Sequence, residues 1–161
     1  MAKAIVRNRD EGDRRWFLGG GLHVWKATAE ETGGSMIVYE DLLDRGKVTP
    51  LHFHPDVDEA MYVIEGEVRV RGAEGDEQVV STGGFFFAPR GCTHAFVVTS
   101  DRARVLAIQT PGTAEDFYLK ASEPIGDVEE GTVDFDRIRD AAVETGATTI
   151  VGPPPFAVST P

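Results

Sequence analysis

Short apolar or alternating segments recur along most of the chain, separated by glycine, proline and aspartate. They are rich in Val, Phe, Ile and Tyr and begin roughly 8–12 residues apart, which is typical of β-strands joined by turns. No regular alternation with long helices accompanies them, so we expect an antiparallel sandwich or barrel. Two turn-like segments, Glu65-Gly66 and Gly72–Asp76, are predicted to close hairpins. The predicted strands are Leu22–Thr28, Ser35–Leu43, Glu59–Ile64, Glu67–Arg71, Gly84–Ala88, His94–Thr99 and Arg104–Thr110.

The last third of the chain changes from strand-like to helical spacing. A helix is predicted from an N-cap at Thr132 to about Thr145, because a threonine can accept from the first free N–H groups. Gly146 follows at the position where a left-handed residue usually ends a helix. The predicted apolar face of this helix consists of Phe135, Ile138 and Ala142.

The remaining segments complete a single predicted domain. The acidic, polar stretch 121–131 has the composition of a linker, and residues 148–151 are predicted to form a last strand. A chain of 161 residues fits one domain, so we expect a barrel over about 16–120 and a C-terminal linker, helix and tail over about 121–161.

Charge and cysteine content restrict the choice of partners and compartment. Acidic residues outnumber basic ones by 27 to 16, giving a net charge of −11, which disfavours binding to nucleic acid or anionic membranes. The single cysteine, Cys92, excludes an internal disulfide. The first residues lack the apolar stretch of a signal peptide and no run has transmembrane length, so we expect a cytoplasmic protein.

Three of the four histidines lie where strand geometry can bring them to one metal ion. In a strand, residues i and i+2 point to the same face, so His52 and His54 can approach one ion together. Glu59 opens the next predicted strand, and His94 opens a later one. We expect the remaining histidine, His23, to be a packed or solvated side chain, since a lone histidine seldom has a functional role.

These four side chains offer three nitrogens and one oxygen. That donor set suits one divalent transition metal, with Fe, Ni, Mn, Co, Cu and Zn all acceptable. Met61 shares a strand face with Glu59, and Phe96 shares one with His94. We therefore predict that Met61 and Phe96 line a substrate pocket beside the metal.

The spacing of these residues resembles the two motifs of the cupin family. The spacing to the last glycine of the first motif selects Glu59 rather than Asp58 as the carboxylate ligand. In the second motif, Val98 stands where the family has asparagine. The first motif is matched by Gly46, His52, His54, Glu59 and Gly66, and the second by Gly83, Pro89, Gly91 and His94.

The resemblance implies an all-β fold of the cupin type, a double-stranded β-helix or jelly-roll barrel with a C-terminal helix. It also implies that His52, His54, Glu59 and His94 are the metal ligands. Within the family, the chain is similar to the flavonol (quercetin) dioxygenase-like group. The similar segments are Glu31–Gly34, His52-Phe53-His54, Pro89–Phe96 and Gly152–Pro155.

Similarity to that group implies a reaction between O₂ and a metal-bound enolate or phenolate of a small-molecule substrate. Glu59 would then be both a ligand and the general base that takes the hydroxyl proton. It also implies a homodimer. In that dimer, an N-terminal strand around Ala4–Arg7 could pair with the edge of the neighbouring subunit's sheet. Two alternatives remain open: a metal-dependent cyclase or isomerase of polyketide or sugar type, and a non-catalytic cupin that binds a metal or small molecule.

Overall fold

Two antiparallel sheets form the body of the protein, seen in a computed structural model that describes residues 3–156. A short 3-10 turn at Gly112–Ala114 leads into helix α1 (Glu115–Lys120), and helix α2 spans Phe135–Thr145. The strands are β1 (Arg14–Phe17), β2 (Leu22–Ala27), β3 (Ile37–Asp44), β4 (Leu51–Phe53), β5 (Asp58–Glu65), β6 (Glu67–Gly72), β7 (Glu77–Ser81), β8 (Phe85–Ala88), β9 (His94–Val98), β10 (Arg102–Thr110), β11 (Ser122–Pro124) and β12 (Thr149–Gly152).

The strand order confirms the expected double-stranded β-helix with a C-terminal helix. One sheet has seven strands in the order β11-β1-β2-β3-β10-β5-β8, and the other has five in the order β12-β4-β9-β6-β7. Strands distant in sequence lie side by side, as when β10 pairs with both β3 and β5. Each sheet turns one face towards the other, and the space between these faces holds the core.

Alternation along the central strands decides which side chains enter that space. In β5, Glu59, Met61 and Val63 are buried, whereas Tyr62 is exposed on the outer face. Successive strand residues point to opposite faces, so a period of two is expected wherever only one face is covered. Glu59 is therefore a charged residue at an inward-facing position, where apolar side chains would ordinarily lie.

One of the two predicted hairpin turns is wrong. Strands β6 and β7 pair across Gly72–Asp76, which confirms that hairpin. At Glu65-Gly66, however, the chain leaves one sheet and enters the other. Gly66 has φ +86°, and a Cβ there would lie 2.2 Å from the carbonyl oxygen of Arg102, so only glycine fits this corner.

The C-terminal region differs from the prediction in two places. Helix α2 begins after Asp134, not Thr132, because the Asp134 carboxylate accepts a hydrogen bond from Arg137 N. Gly146 ends the helix at φ +66°, as predicted. The supposed linker 121–131 contains β11, which pairs with β1, while β12 pairs with β4.

The C-terminal region thus adds an edge strand to each sheet and packs α2 against the barrel. Within residues 3–156, neither helix has the length and apolar character needed to cross a membrane. Residues 4–7, expected as a strand, lie outside helices and strands in the single chain.

Candidate metal centre

Four buried side chains meet between the two sheets: His52, His54, Glu59 and His94. One ligand atom from each lies within 4.8 Å of the others. The histidines lie on the side of the five-stranded sheet: His52 on β4 is paired directly with His94 on β9, and His54 follows the end of β4. Glu59 comes from β5 in the facing sheet, so the site is built across the barrel and not within one hairpin.

Backbone carbonyls fix the orientation of all three imidazoles. Nδ1 lies 2.8 Å from the Pro50 oxygen in His52 and 3.0 Å from the Cys92 oxygen in His94. In His54, Nδ1 lies 3.1 Å from the Ala147 oxygen, with the Thr148 hydroxyl at the same distance. A carbonyl only accepts, so each Nδ1 carries the proton and each Nε2 presents a lone pair to the centre.

Glu59 faces these lone pairs from the opposite sheet. Its Oε2 lies 3.0 Å from His94 Nε2 and 3.5 Å from His54 Nε2. Its Oε1 accepts a 2.9 Å hydrogen bond from Gln109 Nε2. Gln109 is fully buried on β10, in direct cross-strand register with Glu59. The amide thus holds one carboxylate oxygen and leaves the other towards the histidines.

The arrangement of donors fits a divalent metal ion. His54 Nε2 is buried and has no hydrogen-bond partner among the described residues. Neutral His94 has no proton on Nε2 to offer Glu59, because its proton lies on Nδ1. Either a cation or an extra proton is therefore needed between these lone pairs and the carboxylate. Three imidazole nitrogens and a carboxylate suit Fe, Ni, Mn, Co, Cu or Zn.

Burial and neighbouring charges shift the pKa values of His52, Glu59 and His54. The pKa of His52 falls to about 3, because burial and the neighbouring His94 and His54 disfavour its charged form. Burial also acts to raise the pKa of Glu59, but His54 and His94 outweigh it and hold that pKa well below its usual range. Burial likewise acts to lower the pKa of His54, yet Glu59 leaves it raised. A negative carboxylate facing imidazole nitrogens is the electrostatic setting that a cation requires.

A mostly apolar pocket opens onto the cluster. Met61 and Phe96, the two predicted pocket residues, both line it, and their role towards a substrate remains a prediction. Other apolar lining residues come from β1, α1, α2 and β12: Phe17, Phe117, Ile138 and Ile150. The C-terminal region therefore contributes part of the pocket wall as well as edge strands.

Several polar residues near the site were missed by the sequence analysis. Gln109 Nε2 also donates to the Tyr118 hydroxyl at 2.7 Å, and Tyr39 donates to Tyr118 at 2.6 Å. This buried chain links Glu59 to the helix α1 side of the barrel. Lys47 lines the pocket as well.

The fourth histidine has a different setting. His23 is buried and lies 2.9 Å from Asp41 through Nδ1, away from the cluster. Its ring packs against Trp25, Tyr39 and Tyr118 at centroid distances of 4.7, 4.3 and 5.3 Å. It is a packed side chain, as expected, which leaves the cluster with the other three histidines.

Comparison with known proteins shows what this part of the chain is similar to. Residues 40–109, which contain all four cluster residues, match the Cupin domain. Quercetin 2,3-dioxygenase of Bacillus subtilis is 28% identical over 141 residues. That alignment covers 85% of this chain but 41% of the relative, so the chain spans less than half of that protein's length.

Solved structures agree on the fold. KdgF from Halomonas sp. is 25% identical with a TM-score of 0.55, covering 62% of this chain and 86% of that one. An RmlC-like cupin from Shewanella frigidimarina is 20% identical with a TM-score of 0.58, covering 69% and 95%. Together with the strand order and the matched segment, these likenesses show that the chain folds as a cupin-type double-stranded β-helix.

Proposed function

We propose that the protein is a metal-dependent dioxygenase that acts on an enolisable or aromatic small molecule. The observation that carries the proposal is the convergence of His52, His54, Glu59 and His94 at an apolar pocket. Similarity to a quercetin 2,3-dioxygenase over most of the chain supports the same reaction class. With a six-coordinate metal such as Fe, Mn, Co or Ni, four protein ligands would leave two coordination positions for small molecules.

The three histidines and Glu59 would hold the metal in this function. A bound divalent metal would supply Lewis acidity towards a substrate oxygen. Glu59 Oε2 would accept the hydroxyl proton of a substrate bound beside the metal, since Gln109 occupies Oε1 and Oε2 faces the histidines. The apolar wall would orient the aromatic body and keep water from the reacting atoms.

The lining of the pocket favours an aromatic substrate over a sugar. A sugar ring needs several hydrogen-bonding partners, whereas Phe17, Met61, Phe96 and Phe117 offer apolar contact. The isomerase and cyclase alternatives would use the same cluster without consuming O₂. Oxygen uptake therefore separates them from the dioxygenase.

The test joins metal analysis of the purified protein to an O₂-uptake screen with enolisable aromatic compounds. We expect about one transition metal per chain and uptake with at least one compound. Glu59→Gln should retain some metal and lose about 10²–10⁴-fold in turnover, as expected for a positioned base. His52→Ala should lose metal and turnover together.

Two results would contradict the proposal. Turnover without oxygen consumption would favour the cyclase or isomerase, and metal binding without turnover of any compound would favour the non-catalytic cupin. If Glu59→Gln kept its metal and near-native turnover, Glu59 would be a ligand only, and the proton would leave by another route.

A further inference from the structure

One lysine, Lys47, lies in the wall of this mostly apolar pocket. Lys47 follows β3 and lines the same cavity as the metal cluster. In sequence it lies five positions before His52, the nearest residue of the cluster. Its ammonium lies 5.4 Å from the centre of the Phe17 ring, a cation–π contact on the pocket side of β1.

Backbone carbonyls hold the Lys47 ammonium in place. Nζ donates to the Gly19 oxygen at 2.5 Å and to the Val48 oxygen at 3.3 Å. An ammonium has three N–H donors, so one is left for a ligand. Among residues 3–156, no carboxylate oxygen lies within 4.0 Å of Lys47 Nζ. The charge is thus positioned but not neutralised by direct contact.

Asp41 also lines the pocket, and its negative charge acts on the Lys47 ammonium. Asp41 is already engaged by Nδ1 of His23 at 2.9 Å. Burial lowers the pKa of Lys47 to about 8, with the charge of Asp41 opposing the shift. At neutral pH the amine therefore remains mostly protonated, at a site where an additional anion would relieve the cost of its burial.

We propose that Lys47 forms a subsite for a carboxylate of the ligand, so that the natural substrate is an aromatic or enolisable acid. The proposal rests on the proposed function for the orientation of the ligand, with its hydroxyl or enol towards the metal cluster. The carboxylate would accept the third N–H of Lys47, and the apolar body would lie between the two polar positions. Charge-assisted hydrogen bonds of this kind are about twice as strong as neutral ones.

The test compares an acid with its neutral ester. Binding of 3-(4-hydroxyphenyl)propionate and of its methyl ester is measured by calorimetry with the purified, metal-containing protein. We expect the acid to bind about tenfold more tightly than the ester. Lys47→Met keeps the aliphatic stem and should abolish this preference by weakening the binding of the acid much more than that of the ester. Lys47→Arg should retain the preference, and exposed Lys3→Met controls for the loss of one positive charge.

Other results would overturn the subsite. Equal binding of acid and ester by the wild-type protein, or no binding of the acid at millimolar concentration, removes the evidence for it. If Lys47→Met weakens acid and ester alike, the lysine only supports the Gly19 loop. His52→Ala separates the two proposals: if it loses metal but keeps the acid preference, the subsite stands even where no oxygen uptake is found.

Discussion

Replacing Gln109 with methionine tests how the Glu59 carboxylate is positioned. Methionine has nearly the same length and volume but donates no hydrogen bond, so Glu59 Oε1 loses its 2.9 Å partner and Tyr118 loses its 2.7 Å partner. Gln109 is fully buried, so water does not readily replace either bond. The change removes the two hydrogen bonds of this amide and leaves all four residues of the cluster in place.

The expected magnitude follows from two independent considerations. A hydrogen bond to a charged group contributes about 1.5–3 kcal/mol. Removing a residue that orients a metal ligand typically costs about 10–100-fold in metal affinity, or about 1.4–2.7 kcal/mol. We therefore expect Gln109→Met to weaken metal binding by about 10–100-fold, because the freed carboxylate must be ordered each time the ion binds.

The assay is competition for Zn²⁺ between the protein and a chromophoric chelator, which requires no substrate. Gln78→Met is a matched control, since Gln78 is exposed on β7 and should leave the affinity unchanged. Tyr118→Phe keeps the Gln109–Glu59 bond and should have a smaller effect. Zinc affinity within about twofold of wild type in a folded Gln109→Met variant, less than about 0.4 kcal/mol, would refute a positioning role.

Three further predictions concern folding and assembly. Gly46→Ala should lower the free energy of unfolding in urea by about 1–2 kcal/mol, because φ is +84° although the space around a Cβ is open. Gly66→Ala should lower it further, since its Cβ would also meet a backbone carbonyl at 2.2 Å. Arg90 lowers the pKa of Asp58 from its ordinary value of 3.8 to about 2. The stabilisation from this pair is therefore present above pH 3.8 and is lost as the pH falls through 2. The difference in urea midpoint between wild type and Asp58→Asn should vanish at that pH. Light scattering should return a dimer mass, and a monomer mass at all concentrations would contradict the proposed homodimer.

The parts of the fold that could be predicted from sequence are those in which apolar and polar residues alternate regularly or a helix-ending glycine is present. The alternation in β5 and β10 is visible because one face of each strand is buried, and Gly146 marks the end of α2 through its left-handed backbone. The approach of the histidines and Glu59 was predictable for a related reason. In a strand, spacing in sequence fixes the face to which each side chain points, so His52 and His54 were expected on one face. The resemblance to the two cupin motifs implied that Glu59 and His94 join them, and the four side chains do lie together.

Elements without such a period were missed. Helix α1 has six residues, too few for two turns of apolar spacing, and β1 begins with two arginines. Strand β11 has three residues and is ordered by pairing with β1, more than a hundred positions earlier. Its formation depends on tertiary contact and not on local propensity, so its polar composition suggested a linker.

Gln109 could be recognised from sequence as an unusual residue, but its partner could be identified only from the pairing of β10 with β5. Along β10, Val105, Ala107 and Gln109 share one parity and are buried, so a glutamine occupies a position that the pattern assigns to the core. A polar residue in such a position requires a buried partner. The antiparallel pairing of β10 with β5 sets that partner as Glu59, fifty residues away. An inward-facing polar residue on a barrel strand is thus a candidate site residue because of its position in the alternation of buried and exposed residues. The pairing of the strands then identifies the side chain that it supports.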